Sequence, residues 1–308
     1  MSTTPAAASA SNAVNAASSR IADNSNNVVK VALSRIGEIA TLPEITTKII
    51  TVVDDPRSTA RDLHTIIKND PALATKILKV VNSAFYGLPG QVSDLDRAIV
   101  LLGLSAVKNI AISASISRLF TGVQLSDNFS ARDVWKHSVA VGVATRQFCS
   151  LIGKRAFAEE AFLAGLIHDL GLLVERQAFP EHLAEVIQSA SRDGRPMCDV
   201  ENEMIGADHQ VLGAALAAKW KFPRPLQTVL GYHHNISRLK DEHRLLPAIV
   251  HVADTFCCQE KIGFPLTAEG QPLGTDLLDS IGLNEGDVED LREELPEQVE
   301  IAEASLMD

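Results

Sequence analysis

The sequence predicts an all-α protein built around one large helical domain. Apolar residues recur at helical spacing along most of the 308 residues, and helix-capping residues precede several of these runs. Strand signals are weak, because the β-branched runs do not alternate cleanly with polar residues. With 46% hydrophobic residues, the chain can bury a sizeable core. We therefore expect packed helices joined by short polar connectors, as in compact all-helical proteins.

The chain begins with a segment rich in Ala, Ser, Thr and Asn, residues 1–27, which we predict to be a disordered lead-in. It contains no apolar block behind a basic start, so it does not have the pattern of a secretory signal. The longest apolar stretches are shorter than the roughly 18 residues that a membrane helix needs. We expect a cytoplasmic protein with no membrane contact.

A helix is predicted to begin at Asp70 in the stretch DPALATKILKVV. Asp70 is a suitable N-cap residue, and Pro71 stands at the first helical position, where proline is tolerated best. Apolar residues then recur on one face at Leu73, Ile77, Val80 and Val81.

Further helix starts are predicted by capping boxes, in which a Ser or Thr precedes an acidic residue by three positions. These boxes are Thr59 with Asp62, Ser93 with Asp96, and Ser130 with Asp133.

The net charge of -11 belongs to one end of the chain. Residues 270–308 hold 12 acidic residues and a single basic one, which leaves 27 of each sign in the rest. No basic stripe is present for nucleic acid, so we expect no direct nucleic-acid binding. An acidic tail is usually a solvated or partner-binding appendage. No C-x-x-C spacing occurs among the four cysteines, which argues against a disulfide framework or a zinc ribbon.

Histidines and aspartates stand in an ordered series inside or beside apolar runs. Imidazole nitrogen and carboxylate oxygen are good ligands for Fe, Mn, Ni or Zn, and a shared carboxylate is typical of two-metal sites. Taken singly, each histidine has a plainer interpretation as hydrogen-bonded packing, which we adopt for His64, His182, His243 and His251. The members of the series are His137, His168, Asp169, His209, His233, His234 and Asp254.

This series resembles that of the HD superfamily of metal-dependent phosphohydrolases. The sequence before and around it closely resembles the HDOD domain, the HD-related output domain of bacterial signalling proteins, over roughly residues 42–260. The motifs that carry this resemblance are Leu42-Pro43, Asp70-Pro71, NSAFYG at 82–87, Ala98-Ile99, Leu102-Gly103, WKHS, AGLIHDLG, E-x-x-x-x-G-x-DH and the paired histidines.

The resemblance implies an N-terminal helical lobe packed on an HD-type helical core. We place the HDOD domain at residues 28–265, with its lobes at 28–125 and 126–265. Residues 266–308 would form the acidic tail, with a short helix around Val288–Leu295. In the NSAFYG motif, we expect Phe85 and Tyr86 to pack onto the second lobe.

By the same resemblance, a first metal ion would be held by His137, His168, Asp169 and Asp254. Asp169 would bridge to a second ion, completed by His209 and by either His233 or His234. Fe or Mn is favoured, and Zn or Ni is compatible with the same donors. Glu203 would either hydrogen-bond to a metal-ligating side chain and so orient it, or be a solvated helix residue.

Family members are generally regarded as non-catalytic signalling or scaffold modules. The related HD-GYP phosphodiesterases carry a lysine after H-D-x-G, where this chain has Leu172, and a G-Y-P turn that is absent here. Because a phosphodiester needs cationic groups to clamp its charge, we expect a non-catalytic regulatory module whose partners are other signalling proteins. Among the basic residues, only Lys136 stands near the motifs.

Two alternatives remain open from the sequence. The intact ligand series is compatible with a di-metal phosphohydrolase, in which Asp169 would bridge the ions and polarise a water. A structural or redox-sensing ion is also compatible, because iron held by His and carboxylate can change its oxidation state.

Overall fold

The computed structural model describes residues 25–307, except 38, 40, 41, 55, 56 and 121–123. Within these ranges the regular elements are all helices, and the single β-type contact is a bridge between Gln124 and Ser130. The predicted all-α class is therefore confirmed. Most of the predicted lead-in, residues 1–27, lies outside the described residues.

The N-terminal lobe is a set of short helices, most of them 8 to 13 residues long. They are α1 (25–35), α2 (Glu44–Asp54), α3 (Ala60–Ile67), α4 (Pro71–Val81), α5 (Leu95–Leu102) and α6 (Leu104–Ile116).

The second lobe is built around the long helix α7 and the helices that pack on it. They are α7 (Ala131–Leu151), α8 (Ala158–Ile167), α9 (Leu170–Ala178), α10 (Pro180–Asp193), α11 (Met197–Met204), α12 (His209–Lys219), α13 (Arg224–Tyr232) and α14 (Leu245–Gln259). Two more follow, α15 (Thr275–Ile281) and α16 (Glu285–Met307). One continuous cluster of buried apolar side chains runs through both lobes and α16.

The predicted helix starts are largely confirmed. Helix α4 begins at Pro71, with the Asp70 carboxylate accepting a hydrogen bond from the backbone N–H of Leu73 at 2.9 Å. Capping boxes form at Thr59 with Asp62 and at Ser130 with Asp133. The box predicted at Ser93 is wrong by one residue. Helix α5 is capped by Asp94, since a carboxylate bonded to the N–H of Arg97 serves as well as the hydroxyl.

The two lobes meet at the turn that follows α4, as expected from its aromatic residues. Phe85 packs on Phe162 of α8, with 5.3 Å between ring centres. The Tyr86 hydroxyl donates a hydrogen bond to Glu159 at 2.9 Å. Glu159 also pairs with Arg146 of α7 at 3.1 Å, and that guanidinium stacks over Phe85. The turn that follows α4 in the N-terminal lobe therefore contacts both α7 and α8 of the second lobe.

The acidic C-terminal segment forms a longer helix than the sequence indicated. Helix α16 runs from Glu285 to Met307 and packs along α7, whereas a short helix around Val288–Leu295 was expected. Its inward face carries an apolar residue every three or four positions, and α7 covers that face. The buried apolar residues of this face are Val288, Leu291, Leu295, Val299, Ala302 and Leu306.

Membrane-spanning potential is low in the part of the chain that the structure describes. No single helix there has both the length and the apolar character to cross a bilayer. Two consecutive helical segments, Leu95–Leu102 and Leu104–Phe120, are together long and apolar enough, but the chain bends by 118° between them.

The crossing of α7 and α8 depends on two glycines. A Cβ at Gly165 would lie 2.8 Å from the Cα of Gly142, closer than real Cβ atoms approach backbone. We expect Gly165→Ala to lower the free energy of unfolding by about 1–3 kcal/mol through overpacking, although alanine is intrinsically the better helix former. Urea unfolding followed by circular dichroism would measure the change.

Gly270→Ala is the matched control, because nothing lies within 4 Å of a Cβ at that exposed position. Equal effects of the two substitutions would contradict the importance of the α7–α8 contact.

Candidate metal centre

The seven histidines and aspartates of the predicted series converge at one point inside the second lobe. They come from five segments: α7, the α8–α9 junction, the start of α12, the end of α13, and α14. Six of the seven residues have no solvent exposure, and the side chain of His234 is 4% exposed. Their ligand atoms form two adjoining groups, Asp169, His209, His233 and His234 in one, and His137, His168 and Asp254 in the other.

A break between two helices presents His168 and Asp169 to the centre. Helix α8 ends at Ile167 and α9 begins at Leu170, so the two residues are the terminal caps of neighbouring helices. Gly171 permits this arrangement, since a Cβ there would lie 1.8 Å from the carbonyl oxygen of His209. The close approach of α9 to α12 brings His209 beside Asp169.

Asp169 lies between the two groups of ligands. Its Oδ2 atom is 3.3 Å from Nε2 of His168, which belongs to one group. Its Oδ1 atom is 3.5 Å from Nε2 of His209 and 3.5 Å from Nε2 of His233, in the other group. A carboxylate with its two oxygens turned toward two sets of imidazoles has the arrangement of a bridging ligand.

Asp254 occupies the opposite side of the centre. Its Oδ1 atom lies 3.0 Å from Nε2 of His137 and 3.7 Å from Nε2 of His168. Its Oδ2 atom is 3.7 Å from Nδ1 of His234. The sequence left open whether His233 or His234 faces the pocket, and the structure brings both rings to it.

Four of the five imidazole rings are held so that their Nε2 atoms face the carboxylates of the centre. In these four, Nδ1 has a fixed acceptor, which makes Nδ1 the donor and leaves Nε2 with a free lone pair when the ring is neutral. The acceptors are Ile262 O for His137 (3.2 Å), Gly165 O for His168 (2.7 Å), Val229 O for His233 (3.0 Å) and the Glu201 carboxylate for His209 (2.8 Å).

Burial and mutual attraction shift the ionisation of these groups. Burial alone would raise the pKa of Asp169 and of Asp254, but the facing histidines hold both well below the usual range. Burial alone would lower the pKa of His168 and of His209. Asp169 and Asp254 nevertheless raise the pKa of His168 to about 10, and Glu201 with Asp169 raises that of His209 to about 9. Burial dominates at His234, whose pKa falls well below its ordinary value.

The donors present are those of a site for an ion that binds nitrogen and oxygen. Both oxygens of Asp169, Oδ2 of Asp254 and Nε2 of His168, His209, His233 and His234 are buried without a hydrogen-bond partner. Such groups are costly unless a cation or proton compensates them. The Cys258 thiol donates to Asp254 Oδ1 at 3.4 Å, and burial raises its pKa well above the usual value. Cys198 forms a further group with Glu201 and His209, whose possible ligand atoms lie within 4.8 Å of one another.

The remaining expectations divide clearly. Glu203, which we considered as a residue that orients a metal ligand, is 61% exposed and pairs with Arg195. The residue that bonds to the ring of His209 is Glu201, two positions earlier. Glu201 is the first residue of the E-x-x-x-x-G-x-DH motif, and this is the sequence signal that could have identified it. His64, His182 and His243 lie outside the centre, as expected. The ring of His251 is 6.3 Å from that of His234 and joins neither ligand group.

Comparison with known proteins identifies relatives of this chain. The sequence profile described as the HDOD domain matches residues 39–236. An uncharacterized protein of Treponema pallidum (strain Nichols) is 27% identical over 228 residues. The match covers 73% of this chain and 44% of that protein, so this chain spans less than half the length of the curated relative.

Solved structures share the fold at lower identity. An HDOD domain protein of unknown function from Geobacter sulfurreducens has a TM-score of 0.76 at 21% identity, covering 91% of this chain and 98% of its own. A candidate signal transduction protein from Marinobacter aquaeolei VT8 has a TM-score of 0.73 at 21% identity, covering 92% and 65%. A candidate phosphohydrolase from Shewanella amazonensis SB2B has a TM-score of 0.70 at 22% identity, covering 90% and 98%.

The raised pKa values of His168 and His209 predict how the metal-free protein depends on pH. Unfolded histidines titrate near pKa 6.5. The contribution of the protonated rings to stability is therefore complete below pH 6.5 and is lost as the pH rises through about 9 to 10. We expect chelator-treated protein to unfold at lower urea concentration at pH 9.5 than at pH 6.5. An equal or higher urea midpoint at pH 9.5 would contradict this assignment.

Proposed function

The chain belongs to the HDOD domain family, and on that premise we propose that it is a regulatory module of bacterial signal transduction. It acts through contacts with other signalling proteins and holds one or two divalent ions in a buried His/Asp centre. Fe or Mn is favoured, and Zn or Ni suits the same donors. The name of the Marinobacter relative, a candidate signal transduction protein, points the same way.

The burial of all seven ligand residues is the observation that favours a regulatory centre over a catalytic one. A metal ion needs little room, whereas a phosphate ester must place its phosphorus beside the ions. With Asp169 and Asp254 fully buried, no such substrate reaches them unless helices move apart. Protein contacts have a separate support, because Val100 and Leu101 of α5 expose 82% and 48% of their surface.

The charges around the centre support the same proposal. Within the described residues, every ion pair of Asp169 and Asp254 is with a histidine. Leu172, which stands where HD-GYP enzymes carry a lysine, is fully buried in the core. Lys136 faces solvent. The substrate clamp that phosphoryl chemistry needs is therefore missing from the described part of the centre.

A bound divalent ion would neutralise the two carboxylates and occupy the free lone pairs of the imidazoles. The residues of the chain do the rest. Backbone carbonyls and Glu201 hold the Nδ1 protons of His137, His168, His209 and His233, so these four rings keep Nε2 directed inward. Because the ligands come from α7, the α8–α9 junction, the start of α12, the end of α13 and α14, occupancy of the centre would hold these helices together.

A phosphohydrolase is the second candidate function. The position of Asp169 between two groups of histidines favours it, and the name of the Shewanella relative, a candidate phosphohydrolase, adds to it. In that case Asp169 would be the catalytic residue, and the second lobe would have to open to admit substrate.

Elemental analysis tests the proposed metal centre. Tag-free protein purified anaerobically should contain one or two equivalents of Fe or Mn. We expect His168→Gln and Asp169→Asn to lose most of that metal, because each removes a ligand. His182→Gln is the matched control, since His182 is exposed, and it should retain the metal. Metal-free wild type that still folds cooperatively would contradict the proposal.

Thermodynamic linkage provides an independent prediction. Mn²⁺ at 100 times its Kd should raise the free energy of unfolding by about 2.7 kcal/mol, because the ion binds only the folded chain. Urea titration with and without Mn²⁺ would measure this, and Asp169→Asn should show no gain.

An assay with bis(p-nitrophenyl) phosphate and with cyclic dinucleotides separates the two functions. We expect no turnover by the metal-loaded protein. Hydrolysis that requires metal and disappears in Asp169→Asn would favour the phosphohydrolase instead.

A further inference from the structure

Glu201 lies behind His209 and is itself completely buried. Its Oε2 atom accepts from the backbone N–H of His209 at 3.1 Å. The same carboxylate accepts from the ring, with Nδ1 at 2.9 Å from Oε1 and 2.8 Å from Oε2. One side chain on α11 therefore fixes both the start of α12 and the direction of the imidazole.

This contact differs from those of the neighbouring rings. The Nδ1 atoms of His137, His168 and His233 have backbone carbonyl oxygens as acceptors. In His209 the acceptor is a carboxylate. An anionic acceptor on Nδ1 makes the opposite nitrogen a stronger ligand than a neutral acceptor does.

We propose that Glu201 is a positioning residue for His209 and that this contact makes one of two metal subsites the tighter. That subsite consists of Asp169, His209, His233 and His234. The inference rests on the proposed metal centre.

The test is a titration of the metal-free full-length protein with Co²⁺, followed by its visible absorption. Wild type should bind one equivalent more tightly than the second. Glu201→Gln should weaken the tight step by about 10- to 100-fold, the usual cost of losing such a partner, and leave the weaker step near its wild-type value. Glu203→Gln is the matched control, because Glu203 is the same residue type, exposed and two positions away.

Circular dichroism and the melting temperature would establish that Glu201→Gln and Glu203→Gln both fold.

Proton NMR of the metal-free protein provides a readout that needs no ion. The Nδ1–H of His209 should give a downfield, slowly exchanging signal in wild type and Glu203→Gln, and the signal should move upfield in Glu201→Gln, because the amide oxygen is a neutral acceptor. An unshifted signal in Glu201→Gln, or equal weakening of both Co²⁺ steps, would overturn the inference. A wild type that binds no Co²⁺ would overturn the metal centre and its subsites, while the NMR result would still decide whether Glu201 positions His209.

Discussion

The cost of burying two carboxylates governs this structure. Asp169 and Asp254 have no solvent exposure, and the described residues provide neither Lys nor Arg to compensate them. An uncompensated buried charge is far costlier than any single packing interaction is favourable. Five imidazoles from four segments face these carboxylates, so the surrounding helices are placed around one charged centre. The break between α8 and α9 and the glycine at 171 both serve that placement.

The His/Asp centre and the contact between the lobes share two helices. Helix α7 carries His137 and Arg146, and α8 carries Glu159 and ends beside His168. Because α7 and α8 touch through backbone at Gly142 and Gly165, neither helix can shift without moving the other. A change in the charge or occupancy of the centre would therefore reach the turn at Phe85, which the N-terminal lobe presents. Such a connection is what the proposed regulatory role requires.

Local patterns in the sequence predicted much of the fold. Asp70 and Pro71 start α4 as predicted, because capping depends on residues within one turn. The ligand set came from the resemblance of ordered motifs, and the structure brings its members together. The sequence did not predict which helix faces pack against each other over long distances along the chain. Glu203 looked as suitable as Glu201 until the orientation of α11 placed one outward and the other behind His209. The extent of α16 likewise depends on the surface of α7, which covers its apolar face.

The most direct test of the buried centre is anomalous X-ray diffraction from crystals of the full-length protein loaded with Co²⁺. We predict one or two strong peaks enclosed by the histidines, each beside Asp169, with His168 Nε2 and His209 Nε2 at about 2.0–2.1 Å from the ions, the range found for imidazole ligands of zinc. Peaks confined to the surface, with Asp169 held by water or by protonated histidines, would contradict the account.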